Sequence, residues 1–363
     1  MIYPVNEESL QLAAAAIRRG ELAAFPTETV YGLGADAFNP RALAKIFQVK
    51  GRPRFDPLIV HIACPEALGD VADLAALEGG AREQVARLGA AFWPGPLTLV
   101  LPKRDSIPDL ATSGLATVAV RLPAHPAARE LIRLSTGAVA APSANRFGCL
   151  SPTRAEHVAE QLGDRLGIIL DGGPAALGLE STVLDMTGRP RILRPGGLSR
   201  SRLEALLGPL PRPGDSPPAA LRSPGELRSQ GELRSPGLLT SHYAPRTPLY
   251  LHESPAMAAL RYRGDAAYLF FNRRSATAAL EGAALGALEI LSEGGDSLEA
   301  AANLFDALHR LDRLGLRAIH VEAAPPEALG EAINDRLRRA AAGFAAGNTD
   351  GIAAELGDDD GDG

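Results

Sequence analysis

Apolar and polar residues alternate in both helical and strand patterns along the first part of the chain. Apolar positions from Leu10 to Ile17 recur at helical spacing, Asn6 can cap that helix, and Gly20 can end it. Asn39 and Pro40 form a second helix start. Between and after these helices lie short apolar runs typical of strands: LAAF, PLIVHI, LTLVL, TVAVRL, GAVAA, GIIL, STVLD and RILR. The mixture predicts an α/β or α+β domain.

The pattern changes in the second part of the chain. Residues 211–237 are rich in proline, serine and glycine, contain the repeat ELRSQG-ELRSPG, and predict a flexible linker. Beyond it, the strand-like runs PLYLHE, AAYLFFN, LEILSE and RAIHVEAA alternate with helical segments, one of which Ser297 can cap. This alternation predicts a small parallel sheet of Rossmann-like type, although no G-x-G-x-x-G motif for a dinucleotide follows its first strand. The ending GDDDGDG predicts an acidic, disordered tail.

Composition and net charge argue against several classes of protein. A net charge of −6 and a pI near 5.7 argue against a nucleic-acid coat protein or a binder of anionic membranes. The N-terminal residues lack the features of a secretory signal, and no apolar run reaches the length of a membrane span. Cys64 and Cys149 are too few for a disulfide framework or a zinc site. We therefore expect a cytoplasmic protein with reduced thiols and no membrane partner.

The stretch KGRPRFDPLIVHI concentrates positive charge. Lys50, Arg52 and Arg54 surround a glycine and a proline between a helix and a strand, where cations can bind phosphates. A solvated loop is the competing interpretation. His61, inside the strand that follows, is consistent with either a packed core residue or a site residue. No Walker A motif is present, so a nucleotide site here would not be a P-loop.

Other polar residues follow apolar strands. Ser143 and Asn145 lie in the loop of APSANRFGCLSPT, where Ser151 or Thr153 is suited either to cap a helix or to bind a sugar or phosphate. Arg121 lies within the apolar strand VAVRLP, and Arg194 ends the strand of ILRPGG. Buried arginines need anionic partners, which favours a negatively charged ligand. No G-x-S-x-G elbow or H-E-x-x-H motif occurs, so we expect chemistry by positioning and charge neutralisation.

In combination these motifs closely resemble the Sua5/YrdC/YciO family. The resemblance covers residues 8–200 in the family's order and rests on PTETVYGLG, KGRPRFDPLIVHI, FWPGPLTLVL, VAVRLP, APSAN with SPT, GLESTVLD and LRPGG. SHYAPRTPL resembles the junction that opens the additional C-terminal Sua5 domain. The resemblance implies an α/β fold: a twisted mixed-sheet domain with a concave cavity, plus a smaller Rossmann-like domain. We place the catalytic domain at 1–208, a linker acting as a lid at 209–244, the C-terminal domain at 245–345 and the tail at 346–363.

The resemblance also implies a reaction. L-threonine, bicarbonate and ATP would give L-threonylcarbamoyladenylate and pyrophosphate, making the protein a nucleotidyltransferase. Mg²⁺ would arrive with ATP and need no dedicated protein ligands. The product would supply the tRNA threonylcarbamoyl-transferase machinery that makes t6A at tRNA position 37, and a weak contact with tRNA is part of this expectation.

Site residues carried over from the family fall into three groups. The catalytic cations would be Lys50, Arg52 and Arg194. Threonine would be bound by Thr29, His61, Arg121, Ala141 and Ser181, on a wall that Thr27 and Tyr31 also shape. ATP would be bound by Arg52, Asp56, Thr117, Ser143, Asn145, Ser151, Arg194 and, from the linker, Tyr243.

Two features of these motifs concern the predicted ATP and threonine sites. Asp56 departs from the asparagine common in the family and cannot donate an amide hydrogen bond. Gly32 and Gly34 are expected to let the backbone turn beside the threonine pocket. No metal-binding residues are predicted.

Two other functions remain open from the sequence. The first is an RNA-binding module, since a basic cavity could accept RNA, although the chain is acidic and lacks aromatic residues interleaved with basic ones. The second is a relative that transfers a carbamoyl group to another acceptor, although the additional segments typical of such relatives are absent from the sequence.

Overall fold

A computed structural model describes residues 1–212, 242–253, 264–279 and 287–345. Most of the predicted linker and lid, including the ELRS repeat, lies outside the described residues, as does the predicted acidic tail. The described residues form two sheets flanked by helices. This architecture confirms the predicted combination of a larger mixed α/β unit and a smaller parallel one.

The first sheet has ten strands of mixed direction. In chain order the strands are β1 Ile2–Pro4, β2 Ala23–Phe25, β3 Gly32–Asp36, β4 Ile59–Ile62, β5 Leu97–Pro102, β6 Thr117–Arg121, β7 Ala138–Ala140, β8 Ile169–Asp171, β9 Thr182–Asp185 and β10 Arg191–Arg194. Their spatial order is β1-β8-β2-β3-β7-β4-β6-β5-β9-β10, and both parallel and antiparallel neighbours occur.

The helices of this part pack against the sheet. They are α1 Glu7–Arg18, α2 Pro40–Lys50, α3 Leu68–Val71, α4 Ala81–Phe92, α5 Asp109–Thr112, α6 Pro126–Leu134, α7 Ala155–Leu162 and α8 Arg200–Leu207, with short 3-10 turns at Pro65–Ala67, Leu74–Ala76 and Gly163–Arg165.

The ends of three helices test the predicted caps. Asn6 caps α1 by accepting a hydrogen bond from the backbone of the third helical residue, and Asn39 caps α2, as predicted. Helix α7 begins at Ala155 without a side-chain cap. The interpretation of Ser151 or Thr153 as its cap is therefore wrong.

The two glycines after the opening threonines lie in β3 rather than in a turn. Gly34 packs against Phe25 and Val139, and an added Cβ would lie 2.8 Å from the Phe25 ring and 2.9 Å from Val139 Cγ1. The expectation that Gly32 and Gly34 turn the backbone is wrong. Glycine at position 34 instead allows close side-chain packing across the sheet.

The second sheet has four parallel strands in the order β11-β14-β12-β13. These strands are β11 Leu249–His252, β12 Ala266–Asn272, β13 Ala287–Ser292 and β14 Ala318–Glu322. Among the described residues of this part, three helices accompany them: α9 Arg273–Ala279, α10 Ser297–Arg313 and α11 Gly330–Ala345. Asp296, not Ser297, caps α10, because its carboxylate accepts hydrogen bonds from the backbone of Leu298 and Glu299.

Apolar packing joins the two sheets. Val30, Leu150, Leu179 and Tyr243 belong to the same buried cluster as the core of the C-terminal sheet and its helices α10 and α11. The segments that carry predicted site residues are therefore partly held by the second domain. Within the described ranges, no helix has both the length and the apolar character needed to cross a membrane.

Candidate active site

A small cavity lies where loops of the first sheet meet His242 and Tyr243. Its wall combines the opening loop, the ends of several strands and the segment before β11; it is lined by Thr27, Thr29, Val30, Tyr31, Gly32, Arg52, Ile59, His61, Arg121, Ala141, Pro142, Ser143, Glu180, Ser181, Arg194, His242 and Tyr243. The cavity volume is about 40 Å³, far below the roughly 300–1,000 Å³ of typical ligand pockets. The lining residues therefore lie close together in this structure.

The opening loop presents a hydroxyl acceptor to the cavity. Thr27 Oγ1 donates to the Val30 carbonyl at 2.6 Å and lies 2.8 Å from Thr29 Oγ1. Each hydroxyl has one hydrogen, so Thr29 donates its own to Thr27. The remaining lone pairs of Thr29 Oγ1 are suited to accept a hydrogen bond from a ligand.

Arg121 is held by a carboxylate from the same opening loop. Its Nη2 lies 2.6 Å from Glu28 Oε1, and Glu28 Oε2 accepts a hydrogen bond from the backbone of Ala124. Arg121 and His61 are direct neighbours on the parallel strands β6 and β4. Glu28 thus fixes the guanidinium group at the cavity wall.

His61 is a neutral side chain in this environment. Burial, reinforced by the charge of Arg121, lowers the pKa of His61 to about 3, although backbone carbonyls oppose the change. Its Nδ1 lies 3.2 Å from the Ile59 carbonyl and donates to it. The ring therefore contributes shape and hydrogen bonding, and no positive charge, at neutral pH.

Lys50 holds the loop that follows β7. Its Nζ donates to the backbone carbonyls of Ser143 and Asn145, each at 2.6 Å, and lies 3.3 Å from Asn145 Oδ1. Burial, followed by the nearby Arg52, lowers the pKa of Lys50 well below its usual value. Through these bonds Lys50 fixes the loop that carries Ser143.

Arg52 lines the cavity and lies beside Asp56, a carboxylate of the protein itself. Its guanidinium donates to the carbonyls of Asp56 and Pro57, and Nη2 lies 2.8 Å from Asp56 Oδ2. That contact is an ion pair without hydrogen-bond geometry, so neither carboxylate oxygen of Asp56 has a hydrogen-bond donor among the described residues. Burial raises the pKa of Asp56 more than the neighbouring cations lower it. An anionic ligand at Arg52 would compete with a poorly satisfied carboxylate.

Arg194 lies against Ser181, the residue that precedes β9. Its Nη2 donates to the Ser181 carbonyl at 2.9 Å and lies 3.3 Å from Ser181 Oγ, which itself lies 2.7 Å from Thr98 Oγ1. Burial is the largest cause that lowers the pKa of both Arg52 and Arg194. Such desolvated cations favour an anionic ligand.

Ser151 lies behind the cavity wall and donates its hydroxyl hydrogen to Glu180. Burial by itself would raise the pKa of the Glu180 carboxyl. The charges of Arg336 and Arg194, with hydrogen bonds from Ser151 and Arg336, outweigh that effect and hold the pKa below its usual value. An ionised carboxylate therefore forms part of the wall.

The segment before β11 is attached to both domains. The His242 amide donates to the Arg339 carbonyl at 3.2 Å, and the Ala244 amide donates to the Gly148 carbonyl at 2.8 Å. Tyr243, between them, is buried and has a φ of +63°, a conformation that non-glycine residues rarely adopt. This strained residue closes the cavity.

The predicted site residues divide into two groups. Nine line the cavity: Thr29, Arg52, His61, Arg121, Ala141, Ser143, Ser181, Arg194 and Tyr243. Five are not among the lining residues: Lys50, Asp56, Asn145 and Ser151, which contact residues of the wall, and Thr117, at the other end of β6 from Arg121.

Sequence reasoning missed two carboxylates: Glu180, which lines the cavity, and Glu28, which pairs with the lining residue Arg121. They lie within the recognised stretches GLEST and PTETV, so an acidic residue in an apolar motif was the available signal. Sequence reasoning assigned the anionic partners of the strand arginines to a ligand. For Arg121 the protein supplies such a partner itself.

Comparison with known families covers both domains. The Sua5/YciO/YrdC family, described as "Telomere recombination", matches residues 15–196. The family described as "Threonylcarbamoyl-AMP synthase, C-terminal domain" matches residues 198–342. The chain belongs to the Sua5/YrdC/YciO family. Its second domain is the C-terminal domain found with the long members.

Individual relatives match over nearly the whole chain. A threonylcarbamoyl-AMP synthase of Pyrococcus abyssi is 40% identical over 93% of this chain and 95% of its own length. One of Bacillus subtilis is 41% identical over 93% of this chain and 94% of its own length. The crystal structure of P. abyssi Sua5 complexed with L-threonine has 38% identity and a TM-score of 0.80, covering 94% of this chain and 97% of that one. The likeness therefore includes both domains.

Proposed function

We propose that this protein synthesises L-threonylcarbamoyladenylate and pyrophosphate from L-threonine, bicarbonate and ATP. One observation carries the proposal: three arginines from separate segments line one cavity, although Arg52, Arg121 and Arg194 are only 6%, 4% and 3% exposed. Buried cations at a shared cavity favour anionic ligands. The names of the long relatives and the threonine bound to P. abyssi Sua5 support the choice of substrates.

Threonine would occupy the part of the cavity near β4 and β6. Arg121, already oriented by Glu28, would bind its carboxylate, and Thr29 Oγ1 would accept a hydrogen bond from its ammonium or hydroxyl group. The neutral His61 ring would complete this wall without repelling the ammonium group. Ala141 and Ser181 would close the same subsite.

ATP would occupy the part of the cavity near Arg52, Ser143 and Arg194. The threonine ammonium would lose a proton to solvent, and the amine would add to carbon dioxide with release of a proton, or to bicarbonate with release of water, to form a carbamate. A carbamate oxygen would then attack the α-phosphate of ATP and displace pyrophosphate. Such a displacement depends on alignment and on neutralising phosphate charge, and it needs no protein nucleophile. The enzyme would accordingly be a nucleotidyltransferase.

Mg²⁺ would enter as part of the MgATP substrate. The described residues contain no group of three or more histidine, cysteine, aspartate or glutamate side chains placed to hold a metal ion. Mg²⁺ commonly keeps several waters and binds through substrate phosphates. The lining arginines and Ser143 would then position the phosphates that carry the ion, and the product would pass to a transferase that modifies tRNA.

A pyrophosphate assay tests the proposal. Purified protein is incubated with MgATP and labelled bicarbonate, with threonine, with serine or with no amino acid. We expect pyrophosphate and a labelled adenylate that depend on both threonine and bicarbonate. No threonine-dependent pyrophosphate would refute the function.

Two neighbouring arginines provide a matched comparison for the phosphate site. Arg52→Lys loses the forked guanidinium at the cavity, whereas Arg54→Lys changes an exposed residue two positions away. Hydrogen bonds to charged groups contribute about 1.5–3 kcal/mol, so we expect Arg52→Lys to lower kcat/KM for ATP by about tenfold or more. Arg54→Lys should keep the parent value. Equal activity of the two variants would place the phosphates elsewhere, provided that their melting temperatures match.

A further inference from the structure

Arg336 brings a charge from the C-terminal domain to the cavity wall. It lies in α11 and is fully buried. Its Nε donates to Glu180 Oε2 at 2.7 Å, and its Nη1 donates to Asp335 at 2.6 Å. Glu180 and Arg336 are 156 residues apart in the chain, so only domain docking brings them together.

The partner of Arg336 is the carboxylate that lines the cavity. Glu180 uses one oxygen for Arg336 and the other for Ser151, which is predicted to contact ATP. A buried carboxylate without its cation would repel phosphates in the same cavity, since charges interact strongly where water is excluded. Arg336 therefore neutralises Glu180, whose negative charge would otherwise repel the phosphates of a nucleotide.

Arg336 also contacts the residue that closes the cavity. Its guanidinium carbon lies 5.2 Å from the centre of the Tyr243 ring, within the range of a cation–π interaction. Nη2 has no hydrogen-bond partner among the described residues. Phe305 of the C-terminal domain packs on the same tyrosine, with 5.7 Å between ring centres. One arginine thus holds both Glu180 and Tyr243.

A second ion pair between the domains lies away from the cavity. Arg313 pairs with Glu160, but both side chains are about half exposed and do not line the cavity. Exposed pairs of this type contribute little to stability. Arg313 is therefore a matched control: an interdomain arginine without contact to the site.

We propose that Arg336 is a positioning residue for ATP, through which the C-terminal domain completes the nucleotide side of the cavity. It neutralises Glu180, so that Glu180 keeps its hydrogen bond from Ser151. It also orients Tyr243. The proposal rests on the proposed function for its substrates. It assigns no contact between Arg336 and threonine.

Three variants test this role: Arg336→Met, Arg313→Met and the double variant Glu180→Gln/Arg336→Met. Calorimetry measures binding of MgATP and of threonine, and the pyrophosphate assay gives KM and kcat. We expect Arg336→Met to weaken ATP binding by about tenfold or more, with threonine binding within about twofold of the parent. Its melting temperature should fall, because removing the cation leaves Glu180 buried and unpaired. The double variant removes the unpaired carboxylate and should recover most of the ATP affinity, while Arg313→Met should match the parent.

Several outcomes would overturn the proposal. They are unchanged ATP affinity in Arg336→Met, an equal loss for ATP and threonine, an equal effect of Arg313→Met, or no recovery in the double variant. Failure of the proposed function gives a different result: the parent protein itself would release no threonine-dependent pyrophosphate. The ATP-binding comparison retains its meaning in that case, because it does not depend on turnover.

Discussion

At the scale of single residues, three of the buried arginines lie beside carboxylates of the protein. Arg121 pairs with Glu28, Arg52 lies beside Asp56, and Arg336 pairs with Glu180. These counter-ions lower the cost of keeping charges out of water. When an anionic ligand binds, each arginine exchanges a carboxylate of the protein for a group of the ligand. The affinity of the cavity for anions therefore depends on the other hydrogen bonds and charges that stabilise each carboxylate.

His61 gives a pH-dependent prediction at the same scale. Its folded pKa of about 3 lies below the ordinary histidine value of about 6.5, so the unfolded chain binds a proton near pH 5 that the folded protein does not. Stability from the neutral ring is present above pH 6.5 and is lost as pH falls towards the folded pKa. The loss should be about 2 kcal/mol at pH 5 relative to pH 7.5.

The His61→Gln variant isolates this effect. Between pH 7.5 and pH 5, denaturant unfolding should show a fall in unfolding free energy about 2 kcal/mol smaller for the variant than for the parent. In NMR spectra of the parent, the His61 ring signal, identified by its loss in the variant, should not shift over this range. A His61 signal that titrates near pH 6.5 would contradict the predicted neutral ring.

At the scale of elements, the sequence predicted those strands whose apolar runs are continuous. β2, β4 to β10 and β11 to β14 coincide with predicted runs. Most of these strands are buried, and buried strands need apolar residues on both faces. β3 was missed because its sequence, GLGAD, has glycines where a strand usually has β-branched residues. Both glycines let Phe25 pack closely against β3, and Gly34 also lies close to Val139; no local pattern reveals these contacts.

Gly196 gives a prediction about the turn after β10. A Cβ there would lie 2.3 Å from the Glu180 carbonyl oxygen and 2.5 Å from the Thr182 amide nitrogen. Backbone cannot move aside as a flexible side chain can, so Gly196→Ala should displace the start of β9. We expect a destabilisation of about 3 kcal/mol and at least about a tenfold loss of kcat/KM.

Gly188→Ala is the matched control, because a Cβ at that glycine meets no atom within 4 Å. Its unfolding free energy should stay within about 0.5 kcal/mol of the parent. Urea unfolding and the pyrophosphate assay measure both variants. If Gly196→Ala behaves like this control, neither stability nor activity depends on the close approach of the turn to β9.

At the scale of the whole molecule, the sequence could indicate the lining residues of the first domain but not the contribution of the second. Arg121 and Arg194 were recognisable because a charge inside an apolar strand needs a partner. Arg336 lies in an amphipathic helix, where an arginine is ordinarily solvent-exposed. Its burial follows from how α11 docks beside Glu180, and sequence periodicity carries no information on that docking.

A substitution at Gly178 tests how the C-terminal domain docks against the first domain. It has a φ of +64°, and an added Cβ would lie 2.5 Å from the carbonyl oxygens of both Ala301 and Ala302 in α10. Gly178→Ala should therefore force the loop and the C-terminal domain apart. We expect faster hydrogen exchange in residues 174–182 and in α10, and weaker ATP binding, while β4 and β6 keep their protection.

Gly173→Ala separates this clash from backbone strain. Gly173 lies in the same loop with a φ of +80°, but a Cβ there meets no atom within 4 Å. Both variants pay the cost of about 1–2 kcal/mol for a left-handed alanine, so their difference reports the contact with α10. If the domains dock as described, Gly173→Ala keeps the parent's ATP affinity and the protection of α10. Equal exchange and equal ATP affinity in the two variants would show that the close approach of Gly178 to α10 does not hold the site together.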